Sequence, residues 1–211
     1  SILSILWLSL TKIHETKSSA EPATFRSCFS LLRNKFILIL VLSILMIVGA
    51  DVGMNTNIVN YLTTVFELPL DQASLGISIY FTALMIGRFS GAILLNWFPA
   101  RKFLFWTVIF ALAGVLLMVV APTVIIARVS IFLVGLGAAN TFPLVFAIAL
   151  EKMPARSNEI SGLMIMAISG GAIIPPIMGI VSTNWGVIAS LFVIAAGFIY
   201  ILMASVYALK K

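Results

Sequence analysis

Six stretches of the chain, each roughly twenty residues long and nearly free of charge, decide what it can fold into. They run from Phe36 to about Leu62, then over about Ala73–Phe98, Phe103–Val120, Val124–Leu150, Ile160–Val181 and Gly186–Leu209. A helix needs about 20 mostly apolar residues to cross roughly 30 Å of hydrocarbon. In lipid each unpaired backbone group costs several kcal/mol, so only helices and closed barrels span a membrane, and barrel strands would alternate polar with apolar residues. These runs are continuous. The chain therefore reads as an all-α integral membrane bundle. Its composition agrees, since charged residues make up 9% of 211 positions, whereas a soluble domain uses about 25% to cover its surface.

Outside the six spans, Ser1–Leu10 is apolar and reads as the end of a truncated transmembrane helix, without the basic start of a signal peptide. Residues 11–35 form a polar linker, residues 36–209 the six-helix domain, and residues 210–211 a short tail. The net charge of +6 suggests nucleic acid until the basic residues are located. When the loops are numbered alternately, eleven of the thirteen Lys and Arg fall on one side, including Arg101, Lys102, Lys152 and Arg156. The opposite side holds Glu67 and Asp71 and no basic loop residue. Positive-inside bias makes the first side cytoplasmic, with both chain ends there. The basicity is thus a topology signal, and a nucleic-acid partner is not expected.

The remaining ionisable and polar residues lie where lipid tolerates them poorly, at about 2.5–3.5 kcal/mol or more each for a charge. Asp51 is the single acid deep in a span, preceded by the fifteen apolar or small residues 36–50. Asn55 follows one turn on, on the same face, and Asn57 and Asn60 extend a polar stripe. The stripe suggests a proton- or substrate-binding carboxylate in a watered cavity; the alternative is a structural acid paired with an arginine. Arg88, in Gly87-Arg88-Phe89-Ser90-Gly91, suits clamping or gating at a helix end, or snorkelling, more than substrate contact. Arg128 can snorkel to the far interface, and is the nearest candidate partner for a membrane carboxylate. Asn140, close to Pro143, fits a cavity wall or an interhelical hydrogen bond equally well. Gly170-Gly171 and Pro175-Pro176 are expected to interrupt the fifth span. A weak internal echo pairs Asn55-Thr56 and Gly91-Ala92-Ile93 with Asn140-Thr141 and Gly171-Ala172-Ile173. The offset of three spans matches the inverted repeats of secondary transporters.

Several motifs carry a resemblance. Ser169-Gly170-Gly171-Ala172-Ile173-Ile174-Pro175 through Gly179, Gly135 through Asn140-Thr141-Phe142-Pro143, Gly49-Ala50-Asp51-Val52-Gly53 with Asn60-Tyr61, and Gly87-Arg88 with Arg101-Lys102 resemble helices eleven, ten and seven, and the basic loop after helix eight, of major facilitator superfamily transporters. More narrowly, the chain resembles the fucose/glucose/galactose–proton symporter group. It departs from that group where Ser182-Thr183-Asn184 replace an acidic residue usual at the end of helix eleven. The resemblance implies the C-terminal six-helix half of the fold, a 3+3 inverted repeat, working by alternating access with a missing N-terminal half. It implies a monosaccharide substrate, a proton as coupling ion, no other cofactor, and residence in a bacterial cytoplasmic (inner) membrane. Asp51, Asn55, Asn60, Tyr61, Asn140 and Phe142 are then the candidate substrate or proton ligands; amides donate to and accept from sugar hydroxyls, and Tyr61 or Phe142 could stack on a ring. Arg88, Arg101, Lys102, Arg128, Gly170, Gly171, Pro175 and Pro176 are the candidate gating and structural residues.

Other classes fit less well. A carrier of another solute on the same fold is the nearest rival, since fold does not fix substrate; a structural or half-size subunit would not need the polar stripe. An intramembrane enzyme or metal site is disfavoured, because His14 and Cys28 both lie in the linker and Asp51 has no second acid beside it.

Overall fold

The structure, a computed structural model, describes residues 24–209. The truncated helix expected at residues 1–10 and the tail at 210–211 lie outside the described residues. Nine α-helices follow one another among them: α1 (Phe25–Leu31), α2 (Lys35–Phe66), α3 (Leu70–Leu94), α4 (Ala100–Val119), α5 (Val124–Ala138), α6 (Thr141–Lys152), α7 (Ser157–Ala167), α8 (Gly170–Trp185) and α9 (Val187–Leu209). They make six membrane-capable spans, because α5 with α6, and α7 with α8, are each one span broken in the middle. The protein is thus a multi-pass integral membrane bundle.

Local chemistry places the ends of these helices. The Asn34 side chain accepts the Phe36 N–H at 3.0 Å and caps α2. At the other end of α2, Glu67 turns left-handed at φ 53°, and Leu68 N–H bonds back to the Leu62 carbonyl. That is the helix-ending geometry usually given to glycine, and Pro69 then opens α3.

Both mid-span breaks have identifiable causes. Pro143 has no N–H for the Ala139 carbonyl, and its ring crowds that oxygen, so the fourth span stops at Ala138 and restarts at Thr141. In the fifth span the interruption falls beside the expected glycines but not at the expected prolines. It falls at Ile168-Ser169, where the N–H groups of Ile168, Ser169, Gly171 and Ala172 bond three residues back. Pro175 and Pro176 sit inside a continuous α8. The tightening lets Gly170 meet α2: a Cβ there would overlap the Leu45 carbonyl oxygen and lie 2.7 Å from its carbon. Along the same seam a Cβ on Gly49 would lie 2.7 Å from Ile174 Cβ. Small residues at such seams let membrane helices approach.

The packing repeats itself. Exchanging spans one with four, two with five and three with six carries the α2–α8 contact onto α5–α3, and the α2–α9 contact onto α5–α4. The residues of the weak sequence echo lie on equivalent seams. Gly91 of α3 faces Asn140 of the fourth span, and Gly171 of α8 faces Val52 and Val48 of the first.

One element was not expected. The segment read as linker contains α1, closed by a reciprocal cap in which Thr24 N–H bonds to Ser27 Oγ (3.0 Å) and Ser27 N–H to Thr24 Oγ1 (3.2 Å). Cys28 and Leu31 are buried against α7. Arg156 fastens α1 by donating to the Ser27 carbonyl at 3.0 Å, while Glu159 holds the guanidinium at 3.1 Å.

Candidate functional site

The polar stripe of α2 does not end in one pocket; packing divides it between two. The deeper cavity, of about 300 Å³, lies where α2 and α3 meet the break in the fourth span. Asp51, Arg88 and Phe142 line it together with Ile47, Val48, Leu84 and Pro143. Three elements therefore bring together three of the candidate residues, one acid, one base and one aromatic ring. Phe142 is there because the break at Asn140 restarts the helix at the cavity wall, and its ring stacks on Phe146 at 6.1 Å.

The partner of Asp51 is not an arginine. Its Oδ1 accepts the Tyr80 hydroxyl at 2.5 Å, and Tyr80 itself is 1% exposed. Arg88 shares the cavity, yet among the described residues it has no carboxylate within 4 Å and no hydrogen bond. The cavity thus offers a fixed acceptor and a separate cation. Tyr80 was missed in the sequence. Its signal was available, because a buried tyrosine hydroxyl requires a partner and it lies mid-span.

The second cleft, about 360 Å³, opens between α2 and α8. Its polar lining comes from Thr56, Asn57, Asn60, Ser182 and Thr183, with Pro175 in the wall. Asn60 donates to Asn57 Oδ1 at 3.4 Å and accepts from Thr64 at 3.2 Å. Asn57 ties the stripe to α9 through Ser190 at 2.6 Å. Asn55 is half-buried and lines neither cavity.

Two candidate ligands are turned into the bundle. Tyr61 is 1% exposed, and its hydroxyl donates to the Met118 carbonyl of α4 at 2.6 Å. Its ring meets Phe66 in a T-shaped contact at 5.7 Å, and its burial leaves no open face for a sugar to stack on. Asn140 is buried, and Nδ2 donates to the Gly87 carbonyl at 2.6 Å. Both readings left open for Asn140 hold, since besides making this interhelical hydrogen bond it lines a small separate cavity of about 130 Å³ with Ser90 and Thr107. That bond satisfies a buried amide and helps hold the fourth span, at its break, to α3.

The other basic residues act at the ends of the bundle. Arg101, opening α4, donates to the Ala208 carbonyl near the end of α9 at 3.1 Å and lies 3.9 Å from Glu151 at the end of α6. Lys102 beside it is exposed. Arg128 is not the partner of Asp51; its Nη2 reaches the Gln72 carbonyl of α3 at 3.4 Å. Gly171 and Pro176 lie along α8, half-buried and exposed respectively.

A six-span bundle with two broken helices flanking a half-buried acid defines a class, the membrane carriers built from repeated three-helix units. The sequence matches the Major Facilitator Superfamily over residues 1–176, and the chain belongs to that family. It is 31% identical over 148 residues to a glucose/galactose transporter of Brucella abortus biovar 1 (strain 9-941), covering 69% of this chain and 36% of that one. A putative glucose/galactose transporter of Helicobacter pylori (strain J99) is 29% identical over 185 residues, 86% of this chain and 44% of that one. In three dimensions the chain is similar to the transporter FucP in its outward conformation, with a TM-score of 0.85 at 22% identity, over 98% of this chain and 51% of FucP. It also resembles the POT family transporter PepTSo, with a TM-score of 0.70 at 15% identity, over 84% of this chain and 38% of that one. At these identities the two structures speak for the fold. The chain spans 36–44% of the length of the curated relatives named here.

Proposed function

We propose that this chain is the C-terminal half of a sugar:proton symporter that works by alternating access, rocking against an N-terminal half around the Asp51 cavity. The observation that carries the reading is the Asp51 carboxylate, held by Tyr80 in a cavity of about 300 Å³, in a chain similar to glucose/galactose transporters. That volume lies at the lower end of ligand pockets, which run from about 300 to 1,000 Å³, and suits a solute the size of a monosaccharide. Asp51 would carry the proton, Phe142 would cover a sugar face, and Arg88 would orient hydroxyls or gate. The basic-loop asymmetry supports both ends in the cytoplasm, and the bacterial relatives support an inner-membrane placement.

Uptake of labelled glucose, galactose and fucose into vesicles bearing the complete carrier, with and without an inward proton gradient, tests the proposal. Gradient-stimulated accumulation of one of these sugars is expected; no uptake of any would sink it. A second reading rests on Arg88, a cavity cation with no carboxylate within 4 Å among the described residues. It favours a solute bearing an acidic group, and competition by sugar acids that exceeds competition by neutral sugars would select it.

A further inference from the structure

Arg128 raises a question that sugar transport leaves unanswered. It stands in α5, four residues after Val124, so about 6 Å of helix separates it from the start of its span. A charge at that depth needs an anion or water. Among the described residues it has no carboxylate within 4 Å. Its one hydrogen bond is the 3.4 Å contact with the Gln72 carbonyl, and its Nε is buried without a partner.

Around it lies a groove of about 310 Å³ between α3 and α5, walled by Leu75, Ser78, Ile79, Thr82 and Phe132. The α3 members recur at helical spacing and form one continuous stripe. This stripe looks away from the Asp51 cavity. Leu84 lines that cavity and Leu75 this groove; nine residues at about 100° each place them half a turn apart on α3. The groove is thus a mostly apolar trough on the opposite side of α3 from the Asp51 cavity, with one cation, Arg128, in its wall. An apolar channel with a lone cation in its wall complements one kind of molecule native to a membrane.

We propose that this groove is a binding site for an anionic phospholipid, its phosphate on Arg128 and an acyl chain along Leu75, Ile79 and Phe132. The Gln72 carbonyl, in the first turn of α3, draws the guanidinium toward that end of the bundle. Ser78 and Thr82 add hydroxyls for the ester region. The proposal is independent of which solute the carrier moves.

Purified complete carrier in mild detergent provides the test, with thermal unfolding and native mass spectrometry as readouts. Phosphatidylglycerol should bind about fivefold more tightly than phosphatidylcholine, the order expected for roughly one exposed charge pair. Arg128→Gln should bring the two lipids to parity, and Arg128→Lys should keep most of the preference. Ser78→Phe, which fills the trough and leaves the charge, should reduce retained lipid of both kinds. That variant keeps the test decisive if Arg128→Gln does not fold. Inorganic phosphate, added alone, should not stabilise the carrier. Equal binding of both lipids to the unsubstituted carrier would overturn the proposal, and would fit an acidic residue from elsewhere in the protein covering Arg128. Stabilisation by phosphate matching that by phosphatidylglycerol would also overturn it, in favour of a small-anion site.

Discussion

Replacing Gly170 with alanine tests the seam that holds the broken fifth span against α2. A Cβ at Gly170 would overlap the Leu45 carbonyl oxygen and lie 2.7 and 2.9 Å from the Leu45 carbonyl carbon and Cα. All three are backbone atoms, so no side chain can rotate aside. Carbon atoms are comfortable at about 3.5–4.0 Å, which means the two helices must part by about 1 Å. That separation also loosens Gly49 from Ile174 and Gly53 from Met178 further along the seam. Overpacking of this sort typically costs about 1–3 kcal/mol. Reversible unfolding in a denaturing detergent series measures the loss directly. Gly179→Ala serves as the comparison, because a Cβ there meets nothing within 4 Å; at a helix interior it should be neutral or stabilising by up to about 1 kcal/mol. Equal stability of the two variants would refute this packing of α8 on α2.

Other expectations follow from the same geometry. Asn140→Ala should lose the bond to the Gly87 carbonyl, about 0.6–2 kcal/mol in a membrane bundle. Gly91→Ala should clash with Asn140 in the native chain and be far better tolerated in the Asn140→Ala background, a coupling that a double-mutant cycle reads. Tyr61→Phe should lower stability by about 1 kcal/mol through the lost bond to Met118, with the apparent affinity for substrate unchanged; a large rise in KM would return Tyr61 to the substrate ligands. Tyr80→Phe keeps the buried ring and removes the donor to Asp51, so gradient-driven uptake should fall more than sugar counterflow. An equal fall in both would leave Tyr80 a packing residue alone.

The sequence made the spans legible because lipid imposes a simple demand, length and apolarity, that six runs meet and nothing else in the chain does. Asp51 stood out for the same reason, as a carboxylate where charge is costly. What could not be read were the faces. Spans that are apolar nearly all round carry little periodic signal, so no spacing rule says that Tyr61 and Asn140 turn inward, or that Tyr80 of α3 comes to meet Asp51. Arg128 looked like a partner for a buried acid because charges in a membrane seek each other; it instead reaches the Gln72 carbonyl. The break of the fifth span was legible at Gly170-Gly171, which it abuts, but not at Pro175 and Pro176, which α8 absorbs without interruption. Helix α1 escaped because seven residues are too few to show a period, although the Thr24 and Ser27 cap was there to be seen.

The central claim is that Asp51 carries the proton that drives uptake through this half of the carrier. Asp51→Asn keeps the size of the side chain and removes its charge. With the complete carrier in proteoliposomes, this variant should retain exchange of labelled for unlabelled sugar and lose accumulation driven by an imposed pH gradient. Undiminished gradient-driven accumulation by Asp51→Asn would contradict the account.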